Sequence, residues 1–132
     1  MTVQLSTAVR NAQLDSVEST TGTLALLRIL TGAQPADCAT AESGTELIEI
    51  ALPSDWMAAA SGGTKAEAGT WSGTATGDGT AGYFRILDTA GTTCHMQGSV
   101  STTGADMNLD NTSILTGQTV TISGFTLTGG NP

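Results

Sequence analysis

The octapeptide Ala81–Asp88 (AGYFRILD) alternates its side chains with the period of a β-strand. Phe84 and Ile86 point to one side, and Tyr83, Arg85 and Leu87 to the other. The following Asp88-Thr-Ala-Gly91 has the chemistry of a tight turn, and Thr92–Val100 resumes an extended pattern, so the pair reads as a β-hairpin. The same period recurs on both sides. Thr23–Thr31 sets Leu27 and Ile29 against Arg28, and Thr45–Leu52 sets Ile48, Ile50 and Leu52 against Glu49 before Pro53 ends it. Residues 65–75 read as an edge strand with glycine kinks, and Asp106–Asp110 as a further short strand. Ala33–Gly44, with Pro, Asp, Ser and Gly, reads as a loop.

The last strand, Thr119–Thr128 (TVTISGFTLT), carries a phase slip: Val120 and Ile122 are even-numbered, Phe125 and Leu127 odd. One extra residue at Ser123-Gly124 would return both pairs to one face, which is what a β-bulge does. About seven short strands at roughly ten-residue spacing, with no helices between them, predict an all-β fold: a small, jelly-roll-like β-sandwich.

Residues 4–19 are the exception. Leu5, Val9, Ala12 and Val17 recur at helical intervals with Leu14 on the flank, and Gly22 stands where a C-terminal cap belongs. An isolated helix this short is marginal in water, so it must pack on the sheet or on another copy of the chain. Ser54–Ala60 reads as one further helical turn, with Ser54 as cap and alanines behind it. The chain therefore divides into an N-terminal helix or arm for docking or oligomerisation, residues 1–22, and a β-sandwich domain, residues 23–132.

Composition narrows the function. The 132 residues carry a net charge of −8, and the four basic residues, Arg10, Arg28, Lys65 and Arg85, are scattered, which argues against nucleic-acid binding. No run approaches the ~20 apolar residues of a membrane span. The first ten residues lack the parts of a signal peptide, which implies synthesis in a cytoplasm. With 4% aromatic residues the core should be thin, and neighbouring subunits are expected to complete its burial.

Groups for chemistry are few. His95 is the only imidazole and has no locatable carboxylate to orient it. No serine lies in a G-x-S-x-G motif, and no phosphate-binding glycine loop occurs. Asp106-Met-Asn-Leu-Asp110-Asn111 starts like a calcium loop, but Asn111 stands at the glycine position and Gly117 at the closing glutamate. These patterns predict no catalytic residue, no metal and no cofactor. Cys38 and Cys94 suit two separate thiols in a reducing compartment or, alternatively, a disulfide. Trp56 and Trp71 suit a subunit interface, the ends of the sandwich, or a sugar-stacking platform. Together with Leu5, Val9, Leu14 and Val17 they are the candidate oligomer or partner contacts.

The segments LSTAVRNAQLDSVE, ALPSDWMAAASGGTKA, FRILDTAGTTCHMQGSV and DNTSILTGQTVTISGFTLT, spread over nearly the whole chain, resemble a family of small proteins encoded in tailed bacteriophages and prophages. The resemblance implies a non-enzymatic virion structural protein made in the host cytoplasm, and supplies no catalytic residues. A capsid decoration or cement protein, homo-oligomeric and bound to the major capsid protein, fits the small acidic β-module with its helix. A neck, tail or fibre-associated component, including a receptor- or glycan-binding module, is the alternative.

Overall fold

A computed structural model describes residues 3–129 of the chain. Residues 1–2 and 130–132, the outermost parts of the expected arm and body, lie outside the described residues. The helix α1 runs Thr7–Thr21. Its start is set by Ser6, whose hydroxyl accepts the Val9 N–H at 3.2 Å. Its end is set by Gly22, whose φ of +94° suits glycine and whose N–H donates to the Glu18 carbonyl at 2.9 Å.

Nine strands follow among the described residues: β1 Leu26–Thr31, β2 Glu46–Ala51, β3 Thr64–Ala66, β4 Ser72–Thr74, β5 Gly79–Leu87, β6 Cys94–Ser101, β7 Met107–Leu109, β8 Ser113–Ile114 and β9 Thr119–Thr128. They form one sheet in the order β2-β1-β5-β6-β7-β9-β3, with β4 also paired to β9 and β8 to β5. The sheet is mixed because β6 and β7 run parallel. It curls into a half-barrel, where two facing sheets were expected. The curl brings the chain after β4 back to β2, where the Thr76 and Gly77 N–H groups both donate to the Leu47 carbonyl, at 2.9 and 3.1 Å. Gly73 in β4 permits this approach: a β-carbon there would lie 3.1 Å from Ile50 and 3.3 Å from Ile48.

Two local expectations change. Residues 54–60 form no helical turn. Their backbone donors are taken from outside: Met57 and Ala60 donate to α1 carboxylates and Ala58 to the Ala66 carbonyl. The single edge strand expected over 65–75 is two short strands, β3 and β4, separated at Gly69, whose φ is +71°.

The phase slip in β9 is a bulge. Asn108 pairs with Gly124 and Leu109 with Ile122, so Ser123 is the extra residue and points to solvent. Val120, Ile122 and Phe125 are thereby all buried. They join a core in which Trp56, Trp71, Phe125 and Phe84 form a chain of tilted and edge-on rings, with centroids 6.0, 5.6 and 5.4 Å apart. This core closes within one chain. Among the described residues the exposed large apolar side chains are Val3, Val9, Leu24 and Leu115, so neighbours are not needed to complete its burial.

Removing Ser123 puts Phe125 and Leu127 out of phase with Val120 and Ile122. A Ser123 deletion is expected to cost at least ~3 kcal/mol, the scale of losing a large core side chain. Ser123→Ala, a change at a solvent-facing residue, is expected to stay within ~0.5 kcal/mol. Urea unfolding followed by the fluorescence of the two buried tryptophans compares the two variants.

Candidate functional site: the docked helix and the strap over β5

Helix α1 meets the body through its polar flank. Asn11, Asp15 and Glu18 lie at helical spacing on one side, and their oxygens accept the backbone N–H groups of Gly63 (2.9 Å), Ala60 (2.9 Å) and Met57 (3.0 Å). The irregular segment 57–63 offers these donors because it belongs to no ladder that would satisfy them. Lys65, in β3, completes the latch. It is 2% exposed, and its ammonium reaches Asp15 at 2.8 Å, Glu18 at 3.2 Å and the Ala58 carbonyl at 2.9 Å. Three acceptors match its three protons, so the buried cation is fully paired. Burial alone would lower the Lys65 pKa, yet bonds to the two carboxylates hold it above its ordinary value. Trp56 adds a fourth tie by donating from its indole N–H to the Gly22 carbonyl at 3.0 Å.

The orientation corrects the expected apolar docking stripe. Leu14 is buried against the body, Leu5 and Val17 are half-buried, and Val9 is 45% exposed beside exposed Ala8, Ala12, Gln13 and Ser16. The charged residues of α1, Arg10, Asp15 and Glu18, keep to the side of the body, and the outer face is neutral. Trp56 and Trp71 are each 0% exposed, so neither can stack on a sugar or touch a partner without opening the core. Both are core residues rather than the expected partner contacts.

A second polar construction covers the outer face of β5. Residues 33–44 cross it as a strap. Arg85 is 3% exposed and donates from Nη2 to the carbonyls of Thr40 (2.6 Å) and Asp37 (3.1 Å), and from Nε to Gln97 at 3.1 Å. Gln97 in turn donates to the Pro35 carbonyl at 2.8 Å. The Tyr83 hydroxyl donates to the Ser43 carbonyl at 2.7 Å and accepts the Ser43 N–H at 3.1 Å. Outside these, Arg28 joins Glu42, Glu46 and Glu49 at 2.7, 3.1 and 2.6 Å. The strap brings Cys38 to Cys94 at the start of β6. Both are half-buried free thiols, and they line one cleft. Burial first, and then the Cys38 thiol, push the Cys94 thiol well above its ordinary value.

Two clefts flank these constructions. One of about 430 Å³ lies between α1 and residues 54–59, but its Asp15, Glu18 and Lys65 are already bound to one another. The other, about 440 Å³, is lined by Phe84, Met96, Phe125 and Leu127, and its Asp106 accepts from the Ser99 N–H and hydroxyl. Asp110 likewise accepts the Thr121 N–H, so both ends of the calcium-like stretch are occupied by strand contacts. Among the described residues no three His, Cys, Asp or Glu side chains gather as a metal site, and His95 is exposed. No family model, curated protein or solved structure matches this chain.

Four aspartates sit below the ordinary carboxylate range, each because it holds a contact that needs its charge. The main cause is the Lys65 hydrogen bond for Asp15, the Thr40 hydroxyl for Asp37, and the backbone N–H groups of Thr116 and Thr92 for Asp78 and Asp88. Their folded pKa values lie below the unfolded ones, so their stabilisation is complete above the unfolded carboxylate range near ~pH 4 and is lost as pH falls below that range through the folded values. Burial raises Glu46 and Glu67, which oppose the trend in part because folding favours their protonated forms. The melting temperature is expected to be level from neutral pH to about pH 5 and to fall below that. Asp15→Asn should give a shallower acid limb. Glu18→Ala, which orphans the Met57 N–H and half of the Lys65 pairing, should cost about 2 kcal/mol at pH 7. Calorimetric melts across pH check all three.

Proposed function

We propose that this protein is a non-enzymatic structural component of a bacteriophage virion, a capsid decoration or cement protein that binds the major capsid protein and its own copies. The observation that carries the reading is the neutral outer face of α1, with Val9 and Ala12 exposed, on a helix whose charged side chains are turned toward the body. A surface helix ordinarily turns its polar face to water. This one spends its carboxylates on the latch, which leaves a face suited to another protein surface. The resemblance of the quoted segments to phage-encoded proteins supplies the setting. In this reading the half-barrel serves as the small jelly-roll-like body expected of such a module, and the helix as the arm it carries. Weak individual contacts suffice on a shell, because repetition multiplies them. The protein would be made in the host cytoplasm and reside in the virion.

The alternative, a neck, tail or fibre-associated receptor- or glycan-binding component, loses its two candidate stacking residues to the core. Copy number discriminates between the two. Densitometry of purified particles should find hundreds of copies per particle for a head protein, and a handful for a neck or tail protein.

Removal of residues 1–20 would strip Lys65 of its counter-ions and confound binding with folding. Val9→Glu with Ala12→Glu is the cleaner probe. Both residues are exposed, so the variant is expected to melt within a few degrees of the wild type and to lose at least tenfold in particle incorporation. Normal incorporation would exclude the helix face as the contact.

A further inference from the structure

We propose that Cys38 and Cys94 are a redox clasp: on oxidation they join as a disulfide that staples the 33–44 strap to the first residue of β6. The inference stands apart from the virion reading and rests on how the strap is held. Cys38 lies between anchors on both sides. The Pro35 carbonyl is fixed by Gln97 at 2.8 Å, and the Asp37 and Thr40 carbonyls by Arg85 at 3.1 and 2.6 Å. The turn is further closed by Asp37, whose carboxylate accepts the Thr40 N–H and hydroxyl, each at 2.8 Å. Cys94 is fixed from the other direction as the register partner of Leu87 at the start of β6. Two distant stretches of sequence are thus held with both cysteines on the wall of one cleft, which sets the pair up for joining.

The pair is within reach of a small oxidant. Both cysteines line a cleft of about 280 Å³ that also includes Arg28, Glu42, Arg85 and Thr92. The two thiols are not equivalent. Cys94 donates its S–H to the Met96 carbonyl at 3.4 Å, and burial keeps it protonated. Because the Cys94 S–H is tied to the Met96 carbonyl, the exchange starts at Cys38. Its thiolate attacks one sulfur of a low-mass disulfide such as oxidised glutathione and releases one glutathione thiolate. Cys94 then gives up its proton and attacks the Cys38 sulfur of the mixed disulfide, releasing the second glutathione. Two protein thiols are oxidised by two electrons, and one small disulfide is reduced to two thiols. The clasp stays open in a reducing cytoplasm and closes outside it.

The test starts from full-length protein purified under reductant, then exchanged into oxidised glutathione without denaturant. The expected product is a monomer lighter by about 2 Da, with no glutathione adduct, whose non-reducing peptide map joins Cys38 to Cys94. It closes a loop of roughly 55 residues, so its melting temperature should rise by roughly 10 °C and return on reduction. Cleavage within residues 33–44 by added protease should slow in parallel. Cys38→Ser and Cys94→Ser should show neither change under the same oxidant, and the double variant should melt with the reduced wild type. The proposal is overturned if both thiols remain titratable, if each carries its own glutathione, if the chains cross-link between molecules, or if the linked monomer melts lower than the reduced one.

Discussion

The constraint on which the fold depends is that β5 is buried on both faces. On one side Phe84 and Ile86 enter the core, and on the other Tyr83, Arg85 and Leu87 are equally hidden. An antiparallel strand with one wet face would need no cover. This one carries a guanidinium and a phenol on its second face, and each must find partners out of water. The 33–44 segment supplies them as backbone carbonyls, so a stretch with loop composition becomes a fixed layer. The central position of β5, between β1 and β6 and in contact with β8, passes that rigidity through the sheet.

The latch beneath α1 solves the same problem at the other end of the molecule. A lysine in a short strand is hidden, and residues 57–63 leave backbone donors outside any ladder. One helix flank answers both needs with Asn11, Asp15 and Glu18. Burying an ion pair rarely adds net stability, but it fixes orientation, because any other rotation of the helix leaves a buried charge alone. Specific docking without much apolar area follows, and so does the neutral outer face. The sensitivity to acid has the same origin, since the ties at Asp15, Asp37, Asp78 and Asp88 are made by charged oxygens.

What could be read from the sequence was local and periodic. The alternation in AGYFRILD, the hairpin after it, the phase slip at Ser123 and the extent of α1 each depend on residues a few positions apart. The rotation of α1 was not legible, because the partners that set it, Met57, Ala60, Gly63 and Lys65, lie about forty to fifty residues away. Hydrophobic periodicity pointed to Leu5, Val9, Ala12 and Val17 as the docking stripe, and the carboxylates required by Lys65 turned Val9 and Ala12 outward. Distance also hid the two-residue β8, which pairs with the start of β5, whereas the parallel pairing of β6 with β7 joins residues close in the chain, Val100 with Met107, and leaves no periodic signal. Trp56 and Trp71 misled for another reason: a chain with little aromatic content concentrates it in the core, where ring-to-ring packing fills volume that small aliphatics leave open. A buried lysine does leave a trace in sequence. Lys65 is the lone basic residue of its neighbourhood, in a chain with only four.

The strap and the latch differ in what could loosen them. Carboxylates hold the latch, so protons weaken it. Neutral carbonyls and amides hold most of the strap over β5, and its bonds to Arg85 and Tyr83 persist across the acid range in which Asp15 discharges. Acidification should therefore free α1 before the strap, leaving a body with an intact β5 layer and an undocked helix. Undocking leaves Lys65 and the Met57, Ala60 and Gly63 N–H groups without their α1 partners, so the loss reaches β3 as well. A molecule built this way has its most releasable element at the terminus that presents the neutral face, and its least releasable element over the central strand.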